Sequence, residues 1–262
     1  MCRFINLMFA KVMSNKQICR QFLELILKVE IKYIKFPDEE KTIKRFYHSK
    51  GVRLDVYLND ANNTIYNIEM QTSNTYNLPK RSRYYQGMID LNLLEPGDDY
   101  NRLERSYVII ICTFDLFGYG RYCYVFENRC IDCLELVLPD EAVKVFINTK
   151  GTMSDVDEDF KELMNFFNGE FATGGIAKAM QDEVDNVKKK EEWRAEYMTM
   201  LEIEREKYRE GREEGREEAI LIFIKDKISD NVPRETIIEK LVSLYQLDVT
   251  LAEQYYNNCL KL

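Results

Sequence analysis

The 262-residue chain is poor in the residues that mark extended or low-complexity proteins. Five prolines and eleven glycines exclude collagen-like and low-complexity classes. No run reaches the roughly 18 to 20 apolar residues that cross a bilayer, so no membrane association is expected. A secretory leader is not expected either. Met1 to Met13 carries Arg3 and some apolar residues, but Asn6 and Lys11 interrupt it and no small-residue cleavage site follows. The formal charge of −8 lacks the basic surplus of a protein that coats nucleic acid. Seven cysteines, at 2, 19, 112, 123, 130, 133 and 259, show no framework spacing, so reduced thiols and a cytoplasmic location are expected.

What is present suits a globular protein. The composition is 45% hydrophobic, with seventeen Tyr and fourteen Phe, enough for one domain of ordinary size plus something smaller. Charge is unevenly spread. Residues 1–58 hold twelve Lys and Arg against six Asp and Glu, whereas residues 59–179 hold eleven against nineteen. Contact with a polyanion therefore starts in the first segment. Cys130 and Cys133 form a single C-x-x-C, and a zinc site needs two further ligands. The only histidine, His48, is distant in sequence. Cys112 and Cys123 are the remaining sulfur candidates, and a pair of half-buried strand cysteines is the plainer reading.

Hydrophobic periodicity divides the chain. Ile18, Phe22, Leu25, Ile26 and Val29 recur at helical spacing, which predicts an amphipathic helix over 16–29. Val52 to Leu58 and Ile65 to Gln71 flank the Asn/Asp-rich stretch 59–64 and read as a hairpin. Pro79 suits the first turn of a helix running from Lys80 to Leu94. Tyr107 to Thr113 is a continuous apolar run, as expected of a central strand buried on both faces. Strand-like runs follow at 122–126, 133–138 and 143–147, then a helix over 156–168.

These elements define a core over 1–175, a charged helical connector over 176–218 and a small helical module over 219–262. In the connector, Glu210 to Glu218 repeats a four-residue unit with opposite charges at i,i+3 and i,i+4. Trp193, Tyr197 and Leu201 form a short apolar stripe that packs on the core or on a partner helix. The last two predicted helices, 233–244 and 250–260, are not basic. A docking or oligomerisation module fits them better than a DNA-reading helix-turn-helix.

The chemistry concentrates in the hairpin. Side chains alternate along a strand, so Arg53, Asp55 and Tyr57 share one face, as do Asn67, Glu69 and Gln71. A turn centred on Asn62 sets Asp55 opposite Glu69, and directly opposed Cβ atoms lie about 4.5 to 5.5 Å apart. Two carboxylates that close repel one another unless a proton or a cation is shared. A divalent metal resolves the conflict, and Mg²⁺ takes one or two carboxylates plus waters and a phosphate oxygen. The spacing Asp55…Glu69-x-Gln71 is close to the PD-(D/E)xK nuclease signature with Gln in the place of Lys. A neutral amide orients water but carries no positive charge. The following helix carries Lys80, Arg81 and Arg83, of which Arg81 is expected to supply that charge.

The blocks Gly51-Val52-Arg53-Leu54-Asp55-Val56-Tyr57, Tyr66-Asn67-Ile68-Glu69-Met70-Gln71 and Leu78-Pro79-Lys80-Arg81-Ser82-Arg83-Tyr84-Tyr85-Gln86 occur in this order. They are followed by Tyr107 to Cys112, Phe126 to Cys130, Asn148 to Gly151 and the Glu-Gly-Arg-Glu repeats. Together they resemble the Rpn family of recombination-promoting nucleases, also called PD-(D/E)xK nuclease family transposases. The resemblance spans nearly the whole chain. It implies an α/β restriction-endonuclease-like core with a mixed sheet, Mg²⁺-dependent cleavage of DNA with Mn²⁺ as a substitute, and a role in recombination or mobile-element biology. It makes Asp55 and Glu69 metal ligands and puts Gln71 at the lysine position. Related cores often add an acid from the first helix. Glu24 is the candidate, and a solvated helix-face Glu is the alternative.

A reading from another class stays open. The missing lysine and the negative charge also suit a catalytically weak nuclease-fold protein that assembles into homo-oligomers through its helical tail. A DDE-type transposase core is disfavoured, because no third acid stands in a late strand. DNA affinity is expected to come from Arg3, Lys11, Lys16, Lys80 and Arg81 brought together by folding.

Overall fold

The computed structural model describes residues 2–36, 42–43, 52–53 and 55–260. His48, Gly51 and Leu54 lie outside these residues, as do the side chains of Arg3 and Arg53. The chain divides into two compact units, Met1–Arg194 and Ala195–Leu262.

The first unit is built on a mixed sheet. Its strands are β1 (Ile34–Lys35), β4 (Val56–Asp60), β5 (Ile65–Gln71), β6 (Ser106–Cys112), β7 (Cys123–Phe126) and β8 (Ala142–Asn148). The order across the sheet is β1-β4-β5-β6-β8-β7. Strands β5, β6 and β8 are parallel, and the pairings β1/β4, β4/β5 and β7/β8 are antiparallel. The predicted run 52–58 is therefore divided. β3 (Val52–Arg53) pairs with β2 (Thr42–Ile43) in a separate two-stranded sheet, and β4 carries the hairpin. β6 is buried on both faces, as its unbroken apolar run requires.

One face of the sheet is covered by α3 (Leu78–Leu93). Leu78, Tyr85, Met88 and Ile89 of that helix pack on Ile65, Val108, Ile110, Cys112 and Phe146. The other face carries α1 (Cys2–Met13), α2 (Lys16–Leu27), α4 (Glu158–Phe167) and α5 (Gly175–Lys189), which pack on one another. The rings of Phe9, Phe22 and Phe167 meet edge to face there, a geometry that favours aromatic pairs beyond their buried area. The interrupted run 1–13 gives no linear sign of helix α1. Met8, Phe9, Val12 and Met13 recur at helical spacing and are buried, while Lys11 between them stays in water.

Residues 133–138 do not form the strand that their alternating apolar pattern suggests. A turn forms within them, with Leu136 N–H donating to Cys133 O, and the two bonds across to 128–130 are Cys130 N–H to Leu136 O and Leu138 N–H to Asn128 O. A single bridge joins Arg129 to Val137, and Leu134, Leu136 and Leu138 are exposed.

Helix α6 (Glu191–Ser229) contains the boundary between the units. Trp193 is buried, and residues 205–219 are exposed all round. Gly211 and Gly215 lie within this unbroken helix. In the second unit Ile220 and Ile224 of α6 pack on α7 (Arg234–Tyr245) and α8 (Val249–Cys259) through Ile237, Ile238, Leu241, Leu247, Ala252 and Cys259. No helix among the described residues is long and apolar enough to cross a membrane.

Candidate active site

The hairpin register is set by its turn. Asp60 Oδ1 accepts the N–H groups of Asn62 and Thr64 at 2.8 and 3.0 Å, and the hydroxyl of Tyr66 donates to Asp60 Oδ2 at 2.8 Å. Asn63 takes the left-handed conformation (φ 60°) that asparagine tolerates. Pairing then runs Asn59 with Ile65, Tyr57 with Asn67 and Val56 with Ile68. One step further, Asp55 stands opposite Glu69. Asp55 N–H donates to Glu69 Oε1 at 3.3 Å, and Met70 N–H donates to Asp55 Oδ2 at 3.4 Å.

Helix α3 closes over this pair. Pro79 opens it without losing a helix hydrogen bond, since its missing N–H is one that the first turn leaves unbonded. Leu78 is fully buried and anchors the first turn against β5 and β6. That fixes Arg81 over the end of β5. Arg81 Nη1 donates to Gln71 Oε1 at 2.9 Å, and Nη2 donates to the Tyr85 hydroxyl at 2.7 Å. The same Nη2 lies 3.7 Å from Glu69 Oε2. Tyr85, one helical turn on, also offers its ring face to the guanidinium at 5.4 Å. Tyr85 is a site residue that the sequence motifs do not single out, and its i+4 spacing from Arg81 is the one signal that points to it.

Burial and the Asp55 charge push the Glu69 carboxyl up to about 8, with the Asp55 N–H, Arg81 and Asn67 offsetting part of the rise. Glu69 is only 3% exposed. Asn67, two residues earlier on the same face, is fully buried, and its amide makes no hydrogen bond of normal geometry among the described residues. The donor set is thus two carboxylates, one of them buried beside the charge of the other, with the buried Asn67 amide next to them. It fits a hard divalent cation that keeps waters and takes one or two carboxylates.

A comparison with protein families matches residues 4–222 to the PD-(D/E)XK nuclease family transposases. The chain belongs to this family. No curated protein and no solved structure matches it. The mixed six-stranded sheet followed by C-terminal helices is consistent with the PD-(D/E)XK fold. Nucleases of this family typically use a divalent metal.

Other residues that the sequence raises lie elsewhere. Glu24 accepts the N–H of Ile31 at 3.0 Å and lies 3.6 Å from Arg20, so its carboxylate fastens the chain leaving α2. Lys80 and Arg83 are exposed on α3. Lys11 and Lys16 are exposed on α1 and α2, across the sheet from them. Cys130 and Cys133 are free thiols, and among the described residues no group of three His, Cys, Asp or Glu side chains is placed to hold a metal. Any cation at Asp55 and Glu69 would complete its shell with water and substrate oxygens.

Proposed function

We propose that the chain is a Mg²⁺-dependent DNA endonuclease that hydrolyses phosphodiester bonds and serves recombination or mobile-element biology. Family membership supports the chemistry. The observation that carries the assignment is the pairing of Asp55 with the buried Glu69, whose charges oppose one another in the protein alone. Like-charged carboxylates directly opposed on paired strands destabilise a fold, and a cation would convert that cost into binding.

Asp55 and Glu69 would hold Mg²⁺, or Mn²⁺ in its place. When bound, the ion lowers the pKa of its water and offsets charge building on the phosphodiester. The chain's residues do the rest. Backbone N–H groups orient the two carboxylates. Gln71 Oε1 accepts from Arg81, which leaves the amide nitrogen of Gln71 as the donor that orients a water. Arg81, held by Gln71 and Tyr85, supplies the positive charge absent from the lysine position and stabilises the phosphate as it is attacked. In this reading 1–175 is the catalytic core, 176–218 the charged connector and 219–262 a helical module through which copies of the chain associate.

The test is plasmid cleavage by the purified full chain. Mg²⁺ should support nicking or linearisation, and Asp55→Ala should abolish it. Equal cutting by both proteins, or no cutting by the parent with Mg²⁺ or Mn²⁺, overturns the assignment.

A further inference from the structure

Strands β5 and β6 run parallel, so the loops that follow them leave the sheet at the same end, beside Gln71 and its register partner Cys112. Each loop holds a tyrosine out in water. Tyr76 is 90% exposed and Tyr119 is 76% exposed. Rings so exposed bury almost no surface and contribute little to the stability of the fold.

Tyr76 lies between two site residues, Gln71 at the end of β5 and Arg81 in α3. Its backbone is left-handed, with φ 56°. That conformation is unfavourable for a bulky side chain and easy for glycine or asparagine. The turn is stabilised locally, since Asn74 Oδ1 accepts Tyr76 N–H at 2.8 Å. A residue costly to place here thus carries a ring that lies almost wholly in solvent.

Tyr119 is held by a tighter device. Its loop starts at Thr113, whose N–H donates to Gln71 O at 3.0 Å, so the loop begins at the site itself. Asp115 accepts the N–H groups of Phe117, Gly118 and Gly120 at 3.3, 3.0 and 2.8 Å. The two flanking glycines are left-handed, with φ 76° at Gly118 and 68° at Gly120. Gly120 O accepts from Thr152 and Met153 at 2.7 and 3.0 Å, which fastens the loop to the segment after β8. Phe117 anchors it against the rings of Tyr124, Phe126 and Phe146. The backbone at the loop's tip is thus fixed while the Tyr119 ring lies in solvent.

We propose that Tyr76 and Tyr119 stack on unpaired nucleobases, so that the DNA taken by this site is single-stranded or opened next to the scissile phosphate. The proposal rests on the nuclease reading above and names its substrate class. In duplex DNA the base faces are covered by their neighbours, whereas unpaired bases offer both faces to an aromatic ring, largely without regard to sequence. Exposed Lys80 and Arg83 on the helix after Tyr76, and Lys150 on the segment that fastens the Tyr119 loop, supply charge for the backbone of such a strand.

The experiment is fluorescence anisotropy of the full chain with a short labelled oligonucleotide, single-stranded and as its duplex, in Ca²⁺ to suppress turnover. The parent should bind the single strand more tightly. Tyr76→Ala and Tyr119→Ala should each weaken single-strand binding about tenfold. Tyr76→Phe and Tyr119→Phe should retain it, and duplex binding should change in none of the four. Both rings are exposed, so unchanged melting temperatures will confirm intact folds. Single-strand affinity unaltered by both alanine variants overturns the proposal, as does a parent that prefers duplex. Tyrosine-dependent binding by a chain that cuts nothing rejects the nuclease reading and leaves the stacking surface standing. Plasmid cleavage with tyrosine-independent binding does the reverse.

Discussion

Asp55 and Glu69 hold one another through each other's backbone. Asp55 N–H donates to the Glu69 carboxylate, and the N–H of Met70, next to Glu69, donates to the Asp55 carboxylate. The two side chains are therefore fixed as a unit, and changing one alters the other. Asp55→Asn keeps the shape but removes a charge that raises the Glu69 carboxyl. Glu69 should then titrate below about 8, which NMR of the side-chain carboxyl checks. Mg²⁺ affinity should fall about 100-fold or more, since changes even to outer partners of a metal site cost 10- to 100-fold. Isothermal titration with Mg²⁺ measures this, and an unchanged affinity would remove Asp55 from the ligand set.

The raised Glu69 value has a stability consequence of definite sign. A carboxyl whose folded pKa stands above its unfolded value binds its proton more tightly in the fold. Its contribution is complete below about 4.5 and is lost as pH rises through about 8. The metal-free protein should therefore melt at progressively lower temperature across that window. Glu69→Gln, neutral at every pH, should flatten the dependence. Added Mg²⁺ should raise the melting temperature of the parent more at pH 8 than at pH 6, because the cation displaces the proton and binds only the folded state.

The hairpin is legible in the sequence because Asp60 and Asn63 are turn residues and the strand period is two, so one symmetric turn is enough to pair Asp55 with Glu69. β6 is legible because seven consecutive residues with little polarity suit a strand covered on both faces. Helix α1 is not. Lys11 inside an apolar run interrupts a linear reading, yet on a helix it points to water while Phe9 and Met13 point inward. The segment 133–138 misleads in the opposite sense. Its alternating leucines have a strand period, but they are exposed, and among the described residues a single antiparallel bridge to Arg129 is the segment's strand-like pairing. The partnership of Arg81 with Gln71 needs coordinates, because ten residues of sequence do not reveal which turn of a helix returns over a strand end.

In the proposed mechanism Arg81 and Gln71 share the work of the absent lysine, and the Arg81–Gln71 hydrogen bond joins them. Arg81→Ala should lower kcat for plasmid cleavage by about 100- to 1,000-fold, the usual cost of removing one electrostatic donor from a transition state. Gln71→Lys introduced into that variant should restore part of the loss, since it returns a positive charge to the strand position. Tyr85→Phe deletes the hydroxyl that accepts from Arg81 and should cost about tenfold, in line with one hydrogen bond to a charged group. A Tyr85→Phe enzyme with unchanged kcat, measured by single-turnover kinetics, would show that Gln71 alone positions the guanidinium.

The C-terminal unit tests how a small core tolerates change. Ile224 and Leu241 are fully buried where α6 meets α7. Truncating either to alanine removes contacts and leaves a cavity, at about 2 to 5 kcal/mol. For a unit of only residues 195–262 that is a large share of the available stability. Either variant should therefore lower the denaturant midpoint of the helical signal from this unit. Gly211 and Gly215 predict the opposite direction. Both lie inside α6 with ordinary helical backbone, and among the described residues nothing beyond the helix's own backbone and the adjacent residues stands within 4 Å of the place a Cβ would take. Alanine there meets no obstacle and restricts the unfolded chain, so Gly211→Ala and Gly215→Ala should each stabilise the helix by about 1 kcal/mol. Urea unfolding followed by circular dichroism reads both effects. A glycine variant that lost stability would mean that α6 bends at these positions in solution, because a straight helix has no use for the freedom that glycine provides.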